Sequence, residues 1–175
     1  MSTIINIQTP LEKNAPLRAG DQVLLSGEIY TARDAAHRRL VELIQKGEPL
    51  PFDLRSAVIY YCGPAPTPPG RVFGAAGPTT SYRMDAYTPA LLEQGLSGMI
   101  GKGERSAAVV DAIKKHGAVY FAAIGGVAAL LSNCVVSAEL VAWPELLSEA
   151  VQRLVVKDLP LIVAIDSQGG SVFSR

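Results

Sequence analysis

Residues 23–47 read VLLSGEIYTARDAAHRRLVELIQKG, and a change of rhythm within this stretch sets the fold class. As far as Ala32 the apolar positions have the composition of a strand around Gly27. From Asp34 onward the pattern is helical, with Leu40, Val41, Leu43 and Ile44 at the spacing of one helix face. Asp34 is expected at the N-cap, where its carboxylate accepts from free backbone amides. Gly47 closes the helix, because glycine tolerates the left-handed conformation of a C-cap.

Working outward, SAVIYYC (56–62) reads as a buried strand and runs into GPAPTPPGR, whose prolines exclude regular structure. RVFGAAG has weak strand character. TPALLEQG predicts a short helix with Thr88 at the N-cap, Pro89 at the first helical position and Gly95 as its stop. SGMIGKG predicts a strand end and a turn. SAAVVDAIKKHG predicts an amphipathic helix with Lys114 and Lys115 in its last turn, where they complement the helix dipole. AVYFAAI reads as another buried strand, and GVAALLSN as a short helix starting at Gly125–Gly126. AELVAW, AVQRLVVKDL and LIVAIDSQGG read as strands joined by turns. Strands at both ends and alternating helices between them predict a single α/β domain with mixed sheets; a simple doubly wound sheet fits less well. Residues 1–19 are expected to be a polar lead-in and residues 20–175 the domain itself.

A length of 175 residues suits one core, and a hydrophobic fraction of 49% argues against disorder. Sixteen basic and sixteen acidic residues cancel, so the total charge offers no footprint for nucleic acid. The polar N-terminus shows no signal-peptide pattern, and the apolar runs are too short and glycine-interrupted to span a bilayer. A cytoplasmic location is expected. Cys62 and Cys134 form no CxxC pair, and His37 and His116 are far apart, so this chain alone is not expected to build a metal site. Both cysteines read as buried thiols.

GLSGMIGKGERS (95–106) has the outward look of a phosphate loop. Its glycine spacing is one residue too long, however, and Lys102 is followed by Gly103 instead of the hydroxyl that magnesium needs. A strand-to-helix turn with a solvated lysine is the plain reading, although an unhindered backbone around one cation also suits a carboxylate ligand. No GxGxxG follows a strand, and neither histidine neighbours a GxSxG turn. His37, one helical turn after Arg33, reads as a structural or supporting residue. Arg33 is either a surface charge or a cation at a sheet edge beside a helix N-terminus, where an anion is favoured. Arg83 is either a surface charge or a partner of Thr79, four residues earlier, if a helical turn starts there. Both lie in GAAGPTTSYRMD (74–85), a run too rich in Gly and Pro for a helix and too specific in its polar groups for a casual turn. Arg33, Arg83 and Lys102 together would suit a dicarboxylate if the fold gathers them.

SGEIYTARDAAHRRL, YYCGPAP, GAAGPTTSYRMD, IGKGERS and FAAIGGVAALL occur in an order that resembles the β-type catalytic domain of class I fumarases and L-tartrate dehydratases. The resemblance runs from about Gly20 to IDSQGG. It implies a swivelling β/β/α domain and reversible hydration of fumarate to (S)-malate, or dehydration of tartrate to oxaloacetate. It also implies an oxygen-sensitive [4Fe–4S] cluster held by the cysteines of a partner α subunit, with none bound by this chain, and an assembly such as (αβ)₂. Matched by position, Thr79 is the expected catalytic base, and Arg33, Arg83 and Lys102 hold substrate carboxylates. Gly77, beside the ligand, shapes the turn with Pro78. A non-catalytic dicarboxylate-binding or regulatory module is the alternative of another class.

Overall fold

The computed structural model describes residues 3–123 and 128–174. β1 (Ile5–Gln8) and β2 (Gln22–Thr31) lie parallel, and β2 runs into α1 (Asp34–Lys46). β3 (Val58–Tyr60), α2 (Thr88–Glu93), β4 (Gly98–Gly101), α3 (Ala107–His116) and β5 (Val119–Ala123) follow. The chain ends in α4 (Ala128–Asn133), β6 (Val135–Ala142) and β7 (Val151–Ile165). β2, β3, β4 and β5 are parallel neighbours, each reached through a segment that contains a helix. β7 runs antiparallel to β5, β6 and β2, and the β2–β7 pairing closes the seven-stranded sheet into a barrel-like ring. The expected mixed α/β domain is therefore present, with its strands in one mixed sheet.

Closure explains why the central strands read as unbroken apolar runs, because both of their faces are covered. Val58, Tyr60, Ile100, Val119 and Phe121 point into the ring with Leu25, Ile29 and Leu161. Ile59, Tyr61, Met99 and Tyr120 point outward, beneath Leu40 of α1, Leu91 and Leu92 of α2, and Val109 and Ile113 of α3. Leu11 and Leu17 also belong to the inner cluster, and so tie the chain before β2 to it.

Several local expectations are corrected. The last two expected strands are one, because β7 continues through Asp158 and Pro160. Between the partner pairs Leu25/Leu159 and Gly27/Val156, β7 has one more residue than β2. Asp158 takes φ +52° there, and its amide donates to Ser26 Oγ at 3.0 Å. This bulge moves the inward set from Leu154 and Val156 to Leu159, Leu161 and Val163; without it the pleat would turn the second half outward. RVFGAAG forms no strand. Arg33 and Tyr87 occupy the N-cap positions of α1 and α2, so Asp34 and Thr88 are the first helical residues instead of caps. Gly47 closes α1 at φ +67°, and Ser106 caps α3 by accepting from the Val109 amide. The expected start of a helix at Gly125–Gly126 lies outside the described residues. Among the described residues no helix is long and apolar enough to cross a membrane.

Candidate functional site

The sequence-derived candidates meet at the C-terminal ends of β2, β3 and β4, the edge where open α/β sheets receive ligands. β2 ends at Thr31, whose hydroxyl accepts from the Gln152 amide at 3.0 Å, and Ala32 N donates to Tyr60 O at 3.2 Å. Arg33 follows. Its carbonyl accepts from the His37 amide at 2.9 Å and from His37 Nδ1 at 2.8 Å. A carbonyl only accepts, so His37 carries its proton on Nδ1, and the buried Nε2 has no protein partner among the described residues. Burial, outweighing the bond to Arg33, lowers the His37 pKa to about 4, with the Arg105 charge adding to the effect. His37 is thus a neutral wedge beneath the Arg33 turn, in keeping with a supporting role. Gly63 lets the Arg33 side chain lie across the exit of β3, because a Cβ there would sit 2.8 Å from Nη1 and 3.2 Å from Cδ.

The proline-rich loop after β3 is irregular but pinned. Tyr60 donates its hydroxyl to Ala76 O at 2.6 Å, and Ala65 N donates to Ala75 O at 2.9 Å. The loop returns as Gly77-Pro78-Thr79, with Gly77 facing Ala128 at the start of α4, 3.4 Å from where a Cβ would lie. Thr79 N donates to Tyr61 O at 2.6 Å, which fixes it at the end of β3. Thr80 bridges to Lys102 and Ser81 N donates to Lys102 O at 2.9 Å, so the next residues run along the end of β4. A 3-10 turn, Ser81–Met84, then aims Arg83 back at α1.

There Arg83 Nε donates to Asp34 Oδ2 at 3.0 Å, while Arg33 Nε stands 3.8 Å from Asp34 Oδ1. Arg33 and Arg83 therefore converge on one carboxylate. Lys102 reaches the same edge through its backbone pairing with the Thr80–Ser81 segment and is exposed. Formal charges of +3 from Arg33, Arg83 and Lys102, −1 from Asp34 and −1 from Glu149 at the start of α1 leave +1 (3 − 2). The bare helix N-terminus expected beside Arg33 is not free, because Ala35 N donates to Glu149 Oε1 at 3.3 Å. Arginines, more than backbone amides, supply the positive field.

The rim is open: Arg83 keeps 45% of its side-chain exposure. A hollow of about 420 Å³ beside the loop is lined by Pro64, Ala65, Pro66, Leu147, Ser148 and Gln152, with no site residue among them. Cys62 lies buried in the ring, and burial pushes its thiol well above the usual range; Cys134 is half-buried instead of fully enclosed. A [4Fe–4S] cluster takes more thiolate ligands than the two cysteines of this chain, so they form no complete ligand set for one. Among the described residues no group of three His, Cys, Asp or Glu could hold a metal ion.

Sequence reasoning overlooked Asp34 as the shared partner of two arginines, Gly63 as the space for one of them, and Arg105 as a buried charge. Gly63, directly after YYC, carried a signal; Asp34 and Arg105 resemble ordinary helix-end charges and carried none.

The fold and site define a closed α/β ring that carries paired arginines, a lysine and a threonine at its parallel strand ends. The chain belongs to the fumarase C-terminus family, whose model matches residues 2–175. It is 38% identical over 180 residues to fumarate hydratase 2 of Leishmania major, which covers 99% of this chain and 32% of that protein. It is 44% identical over 153 residues to the aerobic class I fumarate hydratase of Escherichia coli, covering 86% and 28%. A match of 40% over 165 residues to a Methanocaldococcus jannaschii protein named "Putative L(+)-tartrate dehydratase subunit beta" covers 91% and 85%. The chain thus spans about a third of the length of the fumarate hydratases it matches.

Proposed function

We propose that this chain is the β-type half of a class I fumarate hydratase, acting with an α subunit that carries a [4Fe–4S] cluster. The observation that carries the reading is the meeting of Arg33 and Arg83 on Asp34, beside Thr79 and Lys102, in a chain matched over its length to this family. Arg33, Arg83 and Lys102 hold the two substrate carboxylates, and Gly77, beside the ligand, shapes the turn with Pro78. In the dehydration direction Thr79, itself deprotonated by a neighbour, takes the proton from the carbon next to one carboxylate while the hydroxyl leaves the adjacent carbon as hydroxide. The proton then released from Thr79 and the hydroxide make up the water formed with fumarate. Removing that proton builds charge on the neighbouring carboxylate, so fixed cations bind the transition state more tightly than the ground state. Threonine is a weak base at its ordinary pKa and needs a neighbour to activate it; the partner subunit would supply that group.

The open rim supports a second surface. A preorganised electrostatic site gains strength only where water is excluded, and this ring alone leaves Arg83 half in solvent. Docking over the cluster-bearing partner, in the manner of a swivelling domain and within an assembly such as (αβ)₂, would close it. L(+)-tartrate is the second reading, favoured by the named β subunit of which the match covers 85%. The same clamp would serve (S)-malate and L(+)-tartrate, which differ by one hydroxyl.

Anaerobic co-expression with the α-type partner, iron analysis and steady-state assays with fumarate, (S)-malate and L-tartrate test the reading. The complex is expected to contain iron and to favour fumarate and (S)-malate, while this chain alone is iron-free and inactive. A much higher kcat/KM for L-tartrate moves the assignment to tartrate dehydratase. Binding of dicarboxylates without turnover by the complex leaves only the binding module.

A further inference from the structure

A buried charge lies outside the clamp. Arg105, in the loop between β4 and α3, has a side chain with no solvent exposure. Its Nε donates to Asp85 Oδ1 at 2.7 Å, and its Nη2 donates to Thr88 Oγ1 at 2.9 Å and to Tyr61 Oη at 3.2 Å. Nη1 faces Met99 Sδ at 3.7 Å. The guanidinium sits 5.2 Å from the ring centre of Tyr61 and 4.8 Å from that of Tyr120. Burying a guanidinium is costly unless its donors are met, so one with this many partners holds a defined arrangement.

Its partners belong to the two turns that carry the clamp. Asp85 ends the turn holding Arg83, and its other oxygen accepts from the Ser106 amide at 2.7 Å, just beyond the GKG turn that holds Lys102. Thr88 donates to Met84 O at 2.9 Å, closing the Arg83 turn on itself. Tyr120 completes the link. Its single hydroxyl proton goes to Gly103 O at 2.8 Å, so Ser81 Oγ, also at 2.8 Å, must donate to it. The Arg83 turn and the Lys102 turn are thus sewn together around one buried cation.

We propose that Arg105 is a positioning residue that sets the spacing between Arg83 and Lys102, and with it the fit of the clamp to a four-carbon dicarboxylate. The proposal rests on the functional reading above. Arg105 touches no substrate; it acts through Asp85, Tyr61 and Tyr120. Lysine in its place keeps the charge but loses the planar fork that reaches two turns at once.

A double-mutant cycle in the αβ complex tests it, using Arg105→Lys, Lys102→Ala and the pair, with kcat/KM for (S)-malate per active complex and thermal midpoints measured together. Turnover by the wild-type complex is the first check; its absence removes the functional reading and this inference with it. Arg105→Lys is expected to lower kcat/KM by about tenfold or more in the wild-type background and by less than about threefold once Lys102 is absent. Equal losses in both backgrounds, or a lowered thermal midpoint with unchanged kcat/KM, would mean that Arg105 only supports the fold, and would overturn the proposal. Should Arg105→Lys fail to fold, Asp85→Asn takes its place in the cycle, since it keeps the shape and one acceptor while removing the charge. The same non-additivity is expected of it, and additive losses sink the idea.

Discussion

Thr79 owes its place to its backbone, since the 2.6 Å bond from its amide to Tyr61 O would form with any side chain. Thr79→Ala in the complex should therefore leave the fold and thermal midpoint intact while lowering kcat by about 10²–10⁴-fold, the usual worth of a positioned base. Near-normal turnover in that variant would remove Thr79 from the mechanism. His37 carries a second residue-scale prediction. Its folded pKa of about 4 lies below the ordinary 6.5, so the unfolded chain binds the extra proton between these values. Stability is fully present above pH 6.5 and is lost as pH falls toward 4, at about 1.4 kcal/mol per pH unit and about 3 kcal/mol in all. His37→Asn can still donate to the Arg33 carbonyl but does not titrate. Denaturant unfolding of the isolated chain between pH 7 and pH 4 should show a shallower loss in that variant. Parallel curves for the two proteins would show that His37 does not drive the acid loss.

At the scale of elements, the site depends on how closely the Thr79–Arg83 segment lies on the ends of β3 and β4. Gly101 permits that approach: a Cβ there would overlap Ser81 Oγ and stand 2.8 Å from Tyr61 Cδ2. Neither neighbour yields easily, because Ser81 is held by Tyr120 and Tyr61 is fully buried. Gly101→Ala should cost about 1–3 kcal/mol as an overpacking change and raise KM for the dicarboxylate, read by thermal denaturation and steady-state kinetics. An unchanged midpoint would show that the segment has slack. Most elements were legible beforehand, since α1, α3, β3 and β5 carry period and composition within their own residues. The β7 bulge was not. Asp158 and Pro160 look like turn residues until β2 is beside them, because a bulge is defined only against its partner strand. The cap positions of α1 and α2 were misplaced by one residue for a similar reason. Asp34 turns to Arg83 and Thr88 to Arg105, tertiary partners that local capping rules do not see.

For the whole molecule, zero net charge conceals a rim of formal +1 (3 − 2) built from Arg33, Arg83, Lys102, Asp34 and Glu149. A dianion approaching this rim is attracted over the screening length, which shrinks from ~10 Å at ~0.1 M salt to ~3 Å at ~1 M. KM for (S)-malate in the complex should therefore rise several-fold across that range while kcat changes less; a salt-independent KM would contradict the clamp. Sequence alone determined that this is an α/β chain of one core, and its motif order offered Thr79, Arg33, Arg83, Lys102 and Gly77 as candidates. Propensity, periodicity and motif order are written in neighbouring residues, and so they survive without a fold. Only the tertiary structure decided that β2 and β7 close the ring and that Arg33 and Arg83 share Asp34. It alone showed the buried guanidinium of Arg105 joining the turns beside them. Arg83 and Asp34 stand 49 positions apart, and an ion pair across such a gap forms only after hydrophobic closure has met the entropy of bringing the strands together.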